Sequence, residues 1–141
     1  MTGLRSPAPR GWIGAGAVYV AIVFLIAFAL GTVRVLLVAP RLGPTVAVLL
    51  ETPLILAVSW WASAWCVRTF RVPPMAAPRL AMGGSAFVLL MLLELGLSVL
   101  IFDQTWRGYL ASFQSPAGVI GLAAQLTFAL VPLAQIRLSA R

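Results

Sequence analysis

Residues 21–30 read Ala-Ile-Val-Phe-Leu-Ile-Ala-Phe-Ala-Leu, and residues 86–93 read Ala-Phe-Val-Leu-Leu-Met-Leu-Leu. Neither stretch has a polar face. A strand of a membrane barrel alternates polar and apolar positions over about ten residues, so these stretches cannot be barrel strands. They read as the middles of helices surrounded by apolar material. Working outward from them, apolar runs fall at about 12–38, 45–67, 80–102 and 117–136. Each reaches the roughly 20 residues that cross a bilayer as a helix. The expected fold class is therefore all-α: an integral membrane four-helix bundle forming a single domain over residues 1–141.

The composition agrees. The chain is 62% hydrophobic and 9% charged, with a mean hydropathy of +1.04. Soluble domains carry about 25% charged residues; a chain this apolar could not cover a soluble core with polar surface. The net charge of +7 comes from arginines, since the sequence contains no lysine. The arginines lie at the ends of the apolar runs rather than in a cluster, which is the pattern of membrane-flanking charge and not of a nucleic-acid surface. With no histidine and the single Cys66, the chain lacks the ligands of a zinc site, the pair needed for an intramolecular disulfide and any nucleophile–histidine dyad. No cofactor is expected. Cys66 reads as a small apolar filler near a helix end.

Arginine placement sets an expected orientation. Arg5, Arg10, Arg68, Arg71, Arg79, Arg137 and Arg141 flank one side, and Arg34, Arg41 and Arg107 the other. The positive-inside rule then puts both termini in the cytoplasm, and the size of the bias argues against dual-topology insertion. Arg5 and Arg10 followed by Ala27-Phe28-Ala29 resemble a signal peptide. The apolar stretch is too long for one and continues to Val38, so an uncleaved first span is expected.

Three connections separate the runs. Pro40-Arg41-Leu42-Gly43-Pro44 reads as a tight turn. Arg68 to Arg79, with Pro73, Pro74 and Pro78, reads as an extended loop. In the third, from Asp103 to Pro116, Trp106, Tyr109, Leu110 and Phe113 recur at helical spacing, with Arg107 and Gln114 elsewhere. This predicts a short amphipathic helix in the outer interface, its residues Trp106, Arg107, Tyr109 and Phe113 touching lipid headgroups or a partner.

Against this background the polar residues inside the runs stand out. A carboxylate in hydrocarbon costs roughly 3 kcal/mol or more unless paired or protonated. Residues equidistant from the turn of a helical hairpin share a depth. Arg34 and Glu51 are symmetric about the first turn, and Glu94 and Gln125 about the third connection. At 1.5 Å per residue all four lie on the order of 9–14 Å below the outer helix ends. The sequence thus predicts a buried polar layer of Arg34, Glu51, Glu94 and Gln125. Arg34 is positioned to neutralise Glu51. Glu94 is left to be protonated, to share Arg34, or to pair with Arg107 or an arginine of another subunit.

The faces carrying these residues read as inward. Ala117, Gly121, Gln125 and Ala129 form a small-residue stripe that lets a neighbouring backbone approach closely. Gly83, Phe87, Glu94 and Ser98 share a face, Ser59 and Ser63 lie below Glu51, and Pro53 frees a carbonyl nearby. Leu49-Leu50-Glu51 recurs as Leu92-Leu93-Glu94, a cheap match in a leucine-rich chain.

Residues 34–60, with Ala39-Pro40-Arg41-Leu42-Gly43, Glu51-Thr52-Pro53 and Ser59-Trp60, resemble small four-span bacterial inner-membrane proteins. That resemblance implies a multi-pass location in the bacterial inner membrane and carries no assigned activity. The small multidrug transporters are similar in architecture, with four helices and one embedded glutamate. Theirs lies in the first helix, where this chain has Arg34, so the likeness is one of architecture alone.

Three kinds of function fit these residues. The first is a non-catalytic accessory, assembly or scaffold module, its bundle held together by the buried Arg/Glu polar layer, with the bilayer and either a second copy or another membrane protein as partners. The second is a small oligomeric proton-coupled permease using Glu51 and Glu94. The third is a lipid-active enzyme, whose acid–base work would fall on Glu51, Glu94, Asp103 or Tyr109 without any recognised catalytic spacing. The first is favoured, with transport as its alternative; the expectation is no enzyme.

Overall fold

The computed structural model describes residues 9–139. Its helices are α1 (Pro9–Val33), a π-helical turn (Arg34–Val38), α2 (Ala39–Leu42), α3 (Pro44–Thr69), α4 (Ala76–Leu100), α5 (Trp106–Ser112) and α6 (Pro116–Ser139). No strand occurs among the described residues. Four stretches, Arg10–Leu42, Pro44–Thr69, Ala76–Leu100 and Pro116–Leu138, are long and apolar enough to cross a membrane. They point to a multi-pass membrane protein. Arg5 and Arg141, used above for orientation, lie outside the described residues.

Two of the expected connections are shorter than the sequence implies. The chain does not turn at Pro40. It stays helical to Leu42 because Arg34–Val38 widens into a π turn, in which the Ala39 N–H bonds to the Arg34 carbonyl. Pro40 has no N–H to return to Leu36, and its ring would clash with that carbonyl in a regular α-helix; one wide turn absorbs the misfit. The break falls at Gly43 alone, whose φ of 83° is readily open to glycine but strained for other residues. Pro44 then starts α3 with its φ already set.

The second correction concerns residues 68–79. α3 runs on to Thr69, and α4 begins at Ala76. Pro78 falls in the first turn of α4, where its missing N–H would have lacked a helical partner anyway, so the extended loop shrinks to residues 70–75. Elsewhere the helix starts follow local chemistry. The Thr105 and Ser115 hydroxyls accept the N–H groups of Gly108 and Gly118, each at 3.0 Å, and so cap α5 and α6.

α1 packs on α3 and α4, and α6 packs on the same two. The buried core occupies the half of the molecule near the two termini: Ala15, Tyr19 and Val23 of α1, Ala62 and Cys66 of α3, Met82 and Ala86 of α4, and Phe128 of α6. Facing away from it, large side chains stand exposed, Leu25 at 70% and Leu92 at 59% among them. Lipid is the environment in which such surface is not penalised.

The core carries polar links that the sequence did not announce. Arg79, expected in a loop, is 4% exposed. It donates from Nε to the Pro73 carbonyl and from Nη1 to the Pro132 carbonyl, both at 3.1 Å. Ser63 donates to Gln135 Oε1, and Gln135 Nε2 to the Trp60 carbonyl. Tyr19 stacks on Phe128 with ring centroids 4.4 Å apart, and its hydroxyl donates to the Phe128 carbonyl at 2.8 Å. That carbonyl lies four residues before Pro132, so Pro132 deprives it of its helical donor and Tyr19 restores one.

A double substitution tests this account. Tyr19→Phe is expected to lower stability by about 0.5–1.5 kcal/mol. In a Pro132→Ala background, where the residue 132 N–H serves the same carbonyl, the cost should shrink towards zero. Thermal unfolding of the detergent-solubilised variants reads it; equal losses in both backgrounds would refute the link.

Candidate functional site

The half of the molecule away from the termini is built differently. Here the four long helices enclose a cavity of about 600 Å³. Val23, Ile55, Leu90 and Phe128 line its apolar lower part, while Arg34, Glu51, Glu94 and Gln125 all line its walls. Tyr109 and Phe113, from α5 and its end, border the cavity as well, in edge-to-face contact with centroids 5.1 Å apart.

The π turn begins at Arg34, which forms an ion pair from Nε to Glu51 Oε2. Across the cavity, Glu94 accepts from Gln125 Nε2 at 2.7 Å on both oxygens and from the Tyr109 hydroxyl at 3.1 Å. Both hairpin pairs therefore come together. Neither Arg34 nor Arg107 pairs with Glu94: among the described residues no arginine lies within ion-pair reach of it. Its partners are neutral donors.

The layer is not buried as the sequence implied. The Arg34 and Glu51 side chains are 30% and 16% exposed, and Glu94 and Gln125 are likewise half-buried. The reason is the cavity itself, onto which all four open. The small-residue stripe of α6 is divided for the same cause. At its lower end a Cβ on Gly83 would meet the Ala129 carbonyl oxygen, so α4 and α6 touch there backbone to backbone. A Cβ on Gly121, higher up, would meet nothing within 4 Å. One stripe both closes the core and leaves the cavity open.

The aromatic face of α5 divides too. Trp106 and Leu110 are exposed, with the Arg107 guanidinium 5.1 Å from the Trp106 ring centre. Tyr109 turns inward instead and is buried. Burial, and the Glu94 carboxyl beside it, push the Tyr109 phenol up from its ordinary value. It therefore stays protonated and donates. The signal for this contact was available in the symmetry of the third connection, but spacing alone does not tell which aromatic of an interfacial helix turns inward. Asp103, with φ of 53°, lies in the connection between α4 and α5 and lines a separate groove with Trp106 and Arg107.

Among the described residues no three His, Cys, Asp or Glu side chains gather into a metal site. Among the described residues the cavity lining holds no cysteine, and the hydroxyl that contacts Glu94 is that of Tyr109, which donates to it. Chemically the arrangement is suited to binding: fixed donors, one internally balanced ion pair, one carboxyl held by neutral groups, and apolar walls.

Fold and site together describe a multi-pass helical membrane protein with a charged cavity in one half. Comparison with protein-family models, curated proteins and solved structures finds no match to the chain.

Proposed function

We propose that this is a protein of the bacterial inner membrane, a four-helix bundle with both termini cytoplasmic, and that it serves as a non-catalytic accessory module whose periplasmic half holds a ligand. The observation that carries this reading is that the cavity ends blindly. Its floor includes Phe128, which Tyr19 covers by stacking and hydrogen bonding. Beneath lie buried Met82, Ala86, Ala62 and Cys66, then the Ser63–Gln135 link and Arg79. A cup with a packed floor supports binding from one side better than passage through. The exposed face of α5, with Trp106, Arg107 and Leu110, supports contact with headgroups or with a partner protein at the same surface.

Purification in mild detergent, followed by mass spectrometry of whatever accompanies the chain, tests this. A stoichiometric membrane-protein partner or a retained small molecule is the expected result. A lone homo-oligomer that carries a pH-driven flux in liposomes would overturn it.

One observation favours the second reading, a small proton-coupled permease: Glu94 faces the cavity with no cation within reach among the described residues. In that case Glu94→Gln and Glu51→Gln leave the protein folded and abolish a proton-dependent flux. Liposomes containing the parent chain that show no flux above empty ones would end this alternative.

A further inference from the structure

We propose that the cavity binds an organic monocation: a protonated amine carried on an apolar body. This deepens the binding-module reading and rests on it. Two carboxyls and one guanidinium face the cavity, those of Glu51, Glu94 and Arg34. Arg34 is committed to Glu51. Among the described residues Glu94 accepts only from the neutral Gln125 amide and Tyr109 hydroxyl. With all three groups ionised, the walls carry one negative charge without a counter-charge, beside apolar surface that solvates it less well than bulk water does. A bound cation removes that cost.

A second observation narrows the cation. Gln125 Oε1 is buried and has no hydrogen-bond donor. Gln125 already reaches Glu94 through its amide nitrogen, so a small reorientation of that side chain would let a group placed beside Glu94 serve both acceptors. A quaternary ammonium supplies charge but no N–H. A protonated primary or secondary amine supplies the charge and the donors together.

The remaining walls define the body. They are aliphatic at Val23, Ile55 and Leu90 and aromatic at Phe113 and Phe128. Aromatic faces attract a nearby ammonium and pack an apolar tail. The volume of about 600 Å³ falls within the span of small-molecule sites, about 300–1,000 Å³.

The test uses the full chain reconstituted in nanodiscs and immobilised for scintillation proximity. The probes are radiolabelled 4-phenylbutylamine, protonated at pH 7, and 4-phenylbutanol, its uncharged counterpart on the same skeleton. Saturable amine binding at one per chain is expected, at least tenfold tighter than the alcohol. Glu94→Gln should collapse that preference to near one. Arg34→Gln, which frees a second carboxylate, should raise amine affinity several-fold, a direction that general damage to the fold does not produce.

Equal binding of amine and alcohol overturns the cation proposal and leaves the binding cavity standing. So does a preference that survives Glu94→Gln. If neither probe binds saturably, the binding-module reading fails with it.

Discussion

Gly83→Val is expected to unfold the protein or leave it too unstable to purify intact, and Gly83→Ala to lower its thermal midpoint clearly. A Cβ at position 83 would overlap the Ala129 carbonyl oxygen and sit 3.0 Å from its carbon. These are backbone atoms on α6 and cannot rotate aside, so α4 and α6 must separate. Overpacking a well-filled core costs about 1–3 kcal/mol. Helix association in lipid depends on close packing rather than on expulsion of water, which places this site at the upper end or beyond. Gly84 is the control. A Cβ there meets nothing within 4 Å, so Gly84→Ala should be neutral or slightly stabilising through helix propensity alone. Size-exclusion chromatography after graded heating separates the two. Equal midpoints for Gly83→Ala and Gly84→Ala would mean that the α4–α6 contact is not as close as described.

Gly83 also shows where sequence reasoning reaches its limit. The length and all-round apolarity of the runs made the four long helices legible, because those properties follow from the bilayer and need no tertiary information. The symmetry of Arg34 with Glu51, and of Glu94 with Gln125, was legible because helical rise is constant. Which stretch of a small-residue face would touch a neighbour, and which would open a cavity, depends on how the helices diverge, and no local pattern carries that. Pro40 and Pro78 misled for a related reason. Proline marks a break only when its missing N–H matters, and a π turn in one case and a first-turn position in the other made it harmless. Tyr19 was missed because it answers a need created elsewhere in the chain, at the Phe128 carbonyl, and Arg79 because its acceptor, the Pro132 carbonyl, lies on a different helix. The inward turn of Tyr109 towards Glu94 belongs to the same class of long-range contact.

Arg34→Leu should destabilise the protein, Glu51→Leu should do the same, and the double variant should recover most of the loss. Each single change leaves one charge on the cavity wall without its partner. Breaking a fully buried pair costs about 3–5 kcal/mol, whereas exposed pairs couple by about 0.2–1 kcal/mol. With side chains 30% and 16% exposed this pair stands between, so each single variant is expected to lose about 1–3 kcal/mol. Replacing both residues by leucine removes the uncompensated charge and adds apolar wall, and such exchanges are often neutral or stabilising. The coupling in a double-mutant cycle, read from thermal or denaturant unfolding in one detergent, then approaches in size the sum of the two single losses. If the losses simply add, the two groups are held separately within the cavity and Arg34 is not committed to Glu51. It would then be available to Glu94, and the charge imbalance on which amine binding rests would disappear. The stability of two leucine variants thus bears on which ligand the cavity accepts.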